Sequence, residues 1–195
     1  MNYCEKDSID QIRNILSSRE RKVIDNLSYA RAAVLVPLFQ KGEDCHLLFT
    51  KRSEEVKYHK GEISFPGGVV DEGDSELEET ALREAFEEIG LKENDVQIIG
   101  VLDDIVTITE FIVTPIVGLF PYPYPLKISE VEIAALIEVP LSFLLDEEYF
   151  SEREIIRGNQ MEVVYAYQYE KHIIWGATAR ILKQFLDLIT SPRST

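Results

Sequence analysis

Residues 65–91 read Phe65-Pro66-Gly67-Gly68-Val69-Val70-Asp71-Glu72-Gly73-Asp74-Ser75-Glu76-Leu77-Glu78-Glu79-Thr80-Ala81-Leu82-Arg83-Glu84-Ala85-Phe86-Glu87-Glu88-Ile89-Gly90-Leu91. Leu77, Ala81, Ala85 and Ile89 recur every four residues, which predicts a helix with that stripe turned to a core. Asp74 and Ser75 are suited to cap its start, and Gly90 to end it. On the helix, Glu84, Glu87 and Glu88 stand at i, i+3 and i+4, a spacing that brings them onto one face with Cβ atoms about 5–6 Å apart. Three carboxylates so close repel one another, and for the glutamates alone a solvated acidic face is the simplest explanation. A hard divalent cation would turn the repulsion into attraction, and carboxylate oxygens suit Mg²⁺ or Mn²⁺ and not zinc. The preceding Phe65-Pro66-Gly67-Gly68 couples a rigid lead-in to two residues free of Cβ. Such a loop can bring a backbone carbonyl or amide close to a metal or phosphate.

Upstream of this stretch, Ile9, Ile12, Ile15 and Leu16 predict a short amphipathic helix over 8–18. Ala32–Phe39 reads as a buried strand and His46–Thr50 as its antiparallel neighbour, joined by the turn residues Lys41, Gly42, Glu43 and Asp44. Downstream, Val96–Val106, Phe111–Phe120, Val131–Val139 and Met161–Tyr169 read as strands. Pro121, Pro123 and Pro125 mark an exposed loop. A short helix is expected near Leu141–Leu145, and a closing one over Gly176–Ile189 with Ala179, Leu182, Leu186 and Ile189 on one stripe. Strands and helices mix without strict alternation, so the expected class is α/β, a mixed sheet sandwiched between helices. Residues 1–28 form an N-terminal helical extension on this reading, and 29–190 one domain.

The chain has 195 residues, with 20 Lys+Arg against 35 Asp+Glu, a formal net charge of −15. Such a surface repels nucleic acid and anionic membranes, and a polyanionic substrate needs a local basic patch or a bound cation. Lys51, Arg52, Lys57, His59 and Lys60 supply that patch immediately before the glycine loop, against only Glu54 and Glu55. Cys4 and Cys45 form no C-x-x-C pair, and two reduced structural thiols are expected. Neither a signal peptide nor a membrane-length apolar run is found, and the chain ends Pro192-Arg193-Ser194-Thr195, without a Ser-Lys-Leu address; a cytoplasmic protein is expected.

Gly68 followed by Arg83-Glu84-Ala85-Phe86-Glu87-Glu88-Ile89-Gly90-Leu91 resembles the Nudix box, G-x5-E-x7-R-E-U-x-E-E-x-G-U, where U is bulky and apolar. Asp74 stands at the place of the first glutamate, Arg83 falls one residue late, and Ala85 is small for its position. The extra residue is carried by one branch of the family, the coenzyme A pyrophosphatase-like group. Its longer pattern is similar to Leu47-Leu48-Phe49-Thr50-Lys51-Arg52-Ser53, His59, Gly61, Ile63, Phe65-Pro66-Gly67-Gly68, Asp71, Asp74 and Thr80-Ala81-Leu82-Arg83-Glu84. Phe49, Lys57 (for arginine) and Glu62 (for glutamine) depart from it. Leu102-Asp103-Asp104, Val113–Gly118, Glu130-Val131, Val139-Pro140-Leu141 and Ile174–Arg180 continue the likeness, which spans about Ala30 to Leu188.

The resemblance implies a Nudix fold and metal-dependent hydrolysis of the diphosphate of coenzyme A or its derivatives. The products would be 3′,5′-ADP and 4′-phosphopantetheine or its acyl form. It places Mg²⁺ or Mn²⁺ on Glu84, Glu87, Glu88 and the Gly68 carbonyl. The catalytic set it implies is Glu84, Glu87 and Glu130. For the base, Glu84 and Glu130 are both candidates, and Glu132 is a weaker third. Lys51, Arg52, Lys57, His59, Gly67 and Gly68 would bind substrate. Arg83 reads as a structural partner for a nearby acid. Family members can dimerise, so a homodimer is compatible with the resemblance; nucleic acid and membrane are not expected partners. The alternatives are a Nudix pyrophosphatase acting on ADP-ribose, NADH or another nucleotide, and a catalytically silent nucleotide-binding module.

Overall fold

The computed structural model describes residues 6–56, 58–157 and 160–191. Helix α1 is Lys6–Ser17, and strands β1 (Ala30–Lys41) and β2 (Asp44–Arg52) form a hairpin. Then come β3 (Ile63–Ser64), β4 (Gly67–Val69) and helix α2 (Leu77–Ile89). The order continues with β5 (Gln97–Val101), β6 (Ile105–Val106), β7 (Phe111–Leu119), β8 (Ile133–Pro140) and α3 (Leu141–Leu144). Strands β9 (Phe150–Arg157), β10 (Gln160–Tyr169) and β11 (His172–Trp175) lead into α4 (Gly176–Thr190). Among the described residues, β1–β8 make one eight-stranded mixed sheet and β9–β11 a three-stranded antiparallel one. In the large sheet β1 runs parallel to β7 and antiparallel to β2 and β4.

The large sheet is covered on both faces, as the mixed pattern predicts. On one face Ala33, Leu35, Phe39, Leu48 and Ile116 pack against Ala81, Ala85 and Ile89 of α2. On the other, Val36, Leu38, Leu47, Phe49 and Val117 pack against Ile12 and Leu16 of α1 and Leu182 and Phe185 of α4. The first of these apolar layers is what fixes α2 in place, despite its acidic outer face. None of the described helices is long and apolar enough to cross a membrane.

The strand pairing has a consequence for the site. β1 pairs with β2 only over Leu38–Lys41, whereas its Ala32–Val34 stretch pairs with β4. β2, in turn, holds β3 through Thr50 and Lys51. The two long strands therefore part company, and the glycine loop fills the opening between them.

Several expectations are corrected. The strand expected over Val96–Val106 divides into β5 and β6, because Asp104 between them turns inward. Its buried carboxylate pairs with Arg21 at 2.9 Å and Arg31 at 3.3 Å and accepts from the Thr114 hydroxyl at 2.6 Å. β9 and β11 were not anticipated; β9 is rich in charge and exposed over Ser151–Glu154, so no apolar alternation marks it. Asp74 and Ser75 do not cap α2. The N-cap is Glu76, without a side-chain cap, while the Ser75 amide and hydroxyl both donate to the Glu79 carboxylate. Gly90 does end the helix, with φ 70°. Cys45 is disulfide-bonded and not a reduced thiol; Cys4 lies outside the described residues.

Gly100 sits at an irregularity in the β5–β7 pairing, and a Cβ there would overlap Leu16 of α1. The close approach of α1 thus depends on a missing side chain. Gly100→Ala is expected to destabilise the protein by about 1–3 kcal/mol through overpacking, lowering Tm by about 2–4 °C per kcal/mol; thermal denaturation followed by circular dichroism checks this.

Candidate active site

The site begins at the glycine loop. Gly67 lies against the Ala33 carbonyl and Val34, so that any Cβ on it would collide with β1. A Cβ on Gly68 would strike the Glu84 carboxylate. Gly67 thus lets the loop lie flat on β1, and Gly68 leaves the Glu84 carboxylate room to rest against bare backbone.

Arg83 ties the two ends of this loop together. Its Nε and Nη2 donate to the two oxygens of Asp74 at 3.1 and 3.0 Å, a bidentate pair, and Nη2 also donates to the Val69 carbonyl at 3.2 Å. Asp74 additionally accepts from the Thr80 hydroxyl at 2.8 Å and from the Asp71 amide at 3.0 Å. These partners, Arg83 above all, hold the Asp74 carboxyl well below the usual carboxylate range. The one-residue delay of Arg83 is absorbed because α2 starts only at Leu77, after the Asp74–Glu76 turn. Nη1 of Arg83 donates to Glu84 at 2.9 Å and, at 3.4 Å, reaches Glu87.

Glu88 lies deeper. It is 3% exposed, and its buried Oε2 has no hydrogen-bond partner among the described residues. Oε1 lies 3.7 Å from Nη1 of Arg52, the last residue of β2. Burial pushes the Glu88 carboxyl up to about 8, against the pull of Arg52, and the charges of Glu84 and Glu132 add to that rise. Glu84 is raised by burial too, with Arg83 opposing and Glu87 and Glu132 reinforcing. An unpaired carboxylate oxygen in such surroundings is costly.

A second segment closes over this end of α2. The Ser129 amide donates to the Glu88 carbonyl at 2.8 Å, the Glu132 amide donates to the Ser129 carbonyl at 2.9 Å, and the Ser53 amide donates to the Glu132 carbonyl at 2.7 Å. The turn before β8 is thereby locked between α2 and the end of β2, and it sets Glu132 within electrostatic range of both Glu84 and Glu88. Ile133 is fully buried and opens β8; its apolar neighbours mark where the strand starts, and so which glutamate sits at its mouth.

The other expected residues divide. Glu84, Glu88, Gly67, Gly68 and Arg52 come together. The Glu87 side chain is 55% exposed and turned to Arg83. Lys51, beside Arg52 in sequence, points to the opposite face of β2, as alternation requires. The side chain of His59 is 56% exposed, and its Nδ1 bonds to Glu62 at 2.9 Å, away from the glutamates. Lys57 lies outside the described residues.

The donor set suits a hard divalent cation. Among the described residues no three acidic, histidine or cysteine side chains already converge on one point. Glu88 nevertheless offers an unpartnered buried oxygen, Glu84 stands one turn away, and Gly68 is pressed against Glu84. Among the described residues, the guanidiniums of Arg52 and Arg83 form ion pairs with these carboxylates and partly fill the role of a cation.

The NUDIX domain family matches residues 29–158. The chain belongs to the Nudix family. It is 38% identical over 183 residues to the uncharacterized Nudix hydrolase NudL of Photorhabdus laumondii, covering 94% of this chain and 96% of that one. It is 36% identical over 160 residues to the uncharacterized Nudix hydrolase NudL of Escherichia coli strain SMS-3-5, covering 82% and 83%. Among solved structures, a Caenorhabditis elegans Ap4A hydrolase binary complex aligns with TM-score 0.49 at 19% identity, over 58% of this chain and 81% of that one; nothing about the site rests on it. As a Nudix hydrolase this is a diphosphatase of nucleoside diphosphate derivatives, from a family that generally uses divalent metal ions.

A buried acid with a raised pKa makes a stability prediction. The favourable contribution of neutral Glu88 is fully present below about 4.5, its ordinary value, and is lost as pH climbs to about 8 and beyond. Glu88→Gln mimics the neutral form. In chelator, the variant is expected to melt several degrees above the parent at pH 9, about 2–4 °C per kcal/mol of penalty removed. The gap should narrow towards pH 5. A variant that melts lower at pH 9 would contradict the electrostatics described.

Proposed function

We propose that this Nudix hydrolase cleaves the diphosphate of coenzyme A or its derivatives, releasing 3′,5′-ADP and 4′-phosphopantetheine or its acyl form. The observation that carries the reading is the contact between Arg52 and Glu88. It joins the Leu47–Gly61 segment, where the coenzyme A-type resemblance resides, directly to the carboxylate cluster. The local basic residues also meet a general need: a chain of net charge −15 must offset its own field to hold a polyanion.

On this reading Glu84, Glu88 and the Gly68 carbonyl hold Mg²⁺ or Mn²⁺, with Glu87 at the outer margin. Such an ion offsets the negative charge that builds on the phosphoryl oxygens. Arg52 keeps Glu88 oriented and its charge tolerable. The Gly67-Gly68 backbone lies against the phosphates, where a side chain would block their approach. Water attacks one phosphorus, the bond to the bridging oxygen breaks, and the water's proton passes to a carboxylate. We assign that proton to Glu132, because it faces both Glu84 and Glu88 from a turn fixed at three backbone bonds. Glu130 is the alternative. Arg83 positions: through Asp74 and Val69 it fixes the loop against the helix and does not itself meet substrate.

Two experiments test this. Coenzyme A and ADP-ribose, each incubated with Mg²⁺ or Mn²⁺ and with chelator, should give metal-dependent 3′,5′-ADP from the first, with Glu88→Gln inactive. Cleavage of ADP-ribose alone would keep the chemistry and discard the substrate; cleavage of neither, despite bound metal, would revive a silent binding module. Separately, Glu132→Gln should lose about 10²–10⁴ in kcat, the usual range for a general base, and Glu130→Gln little. The reverse pattern would restore Glu130.

A further inference from the structure

On the face of β2 opposite to Glu88 lies a second, basic feature. A cleft of about 490 Å³ is lined by Lys51, Lys60, Lys171, His172, Ile173 and Trp175, and also by Glu62. Two hairpin regions build it: the end of β2 with β3, and the β10–β11 turn, whose strand β11 packs on β3. Its residues come from parts of the chain more than a hundred positions apart, so no reading of residues 51–61 alone could assemble it.

The electrostatics are unusual for so acidic a molecule. Among the described residues, no carboxylate forms an ion pair with Lys51, Lys60 or Lys171, while Glu62 is engaged by His59 at 2.9 Å. Burial lowers the His172 pKa, the Lys171 and Lys51 charges lower it further, and Glu170 opposes them. Three unpaired ammonium groups around one cavity repel each other until an anion arrives. Trp175 and Ile173, 46% and 53% exposed, give the same cavity an apolar wall. Lysines beside a flat aromatic surface suit a phosphate carried on a nucleoside, the phosphate held as a point charge and the base laid on the ring.

The location fits a substrate that also reaches the glycine loop. β3 ends the hydrogen-bonded path of the sheet, and Ile63, in the cleft, is four positions before Gly67. That stretch of chain spans at most about 14 Å. A ligand longer than a simple nucleotide therefore has only the margin of a two-residue strand to cross in order to touch both places.

We propose that this cleft binds the phosphomonoester on the substrate's nucleoside, with Lys51, Lys60 and Lys171 holding the phosphate and Trp175 beside the base. Resting on the coenzyme A reading above, the group is its 3′-phosphate, and the cleft is what distinguishes that substrate from nucleoside diphosphates lacking one.

The test pairs binding with kinetics. Calorimetric titration with 3′,5′-ADP and 5′-AMP should show the first binding at least about tenfold tighter, a difference of about 1.4 kcal/mol. The Lys60→Gln/Lys171→Gln double variant, both positions exposed, should keep its Tm and lose that preference. In turnover, its KM for coenzyme A should rise about tenfold with kcat little changed, while dephospho-coenzyme A is unaffected. Equal effects on both substrates, no effect on either, or no preference for 3′,5′-ADP in the parent would overturn the proposal. If the preference for 3′,5′-ADP is present and removed by the variant, but neither coenzyme A form is cleaved, the cleft stands and the substrate reading falls.

Discussion

One buried carboxylate organises this molecule. Glu88 is held at the end of α2 with an oxygen that no described residue satisfies, and the surrounding parts respond to it. Arg52 approaches from β2, Glu84 from the preceding turn of the helix, and Glu132 from the loop whose backbone grips Glu88's own carbonyl. A chain under selection for stability alone would place an apolar residue there, because an unpaired buried oxygen costs free energy. A ligand that supplies positive charge would offset that cost.

The divergence of β1 and β2 makes room for this arrangement. Where the two strands separate, β4 takes β2's place beside β1, and its glycines let main chain rest on Glu84. The Asp74–Arg83 pair then fastens the far end of the loop to the helix. Loop, helix and strand end are thus bound by ionic contacts at the surface of a well-packed interior, which keeps the carboxylates within reach of one another without burying all of them.

Much of this was legible in the sequence, for physical reasons. The four-residue spacing of Leu77, Ala81, Ala85 and Ile89 could place α2 because a helix buried on one side must repeat its apolar residues that way. Alternation and apolar runs placed β1, β7 and β8 for the same reason. Glu84, Glu88 and Gly68 were found through helical spacing together with the family pattern. What could not be read was long-range. The nearness of Glu132 to Glu84 and Glu88 comes from a turn pinned by backbone bonds to Glu88 and Ser53, which leave no trace in residue type. Lys51 and Arg52 looked like one basic patch, but the pleat sends them to opposite faces. β9 and β11 escaped notice since their exposed faces are polar or short, and Asp104's inward turn, set by Arg21 and Arg31, broke a strand that apolar content suggested was continuous.

The most direct test of this account is the titration of Glu88 itself, followed by the side-chain carboxyl ¹³C shift in the metal-free protein, with Glu88→Gln to assign the signal. The account predicts a carboxyl titrating near 8, absent from the variant and driven to lower pH by added Mg²⁺. A Glu88 signal that titrates in the ordinary glutamate range, unmoved by the cation, would contradict it.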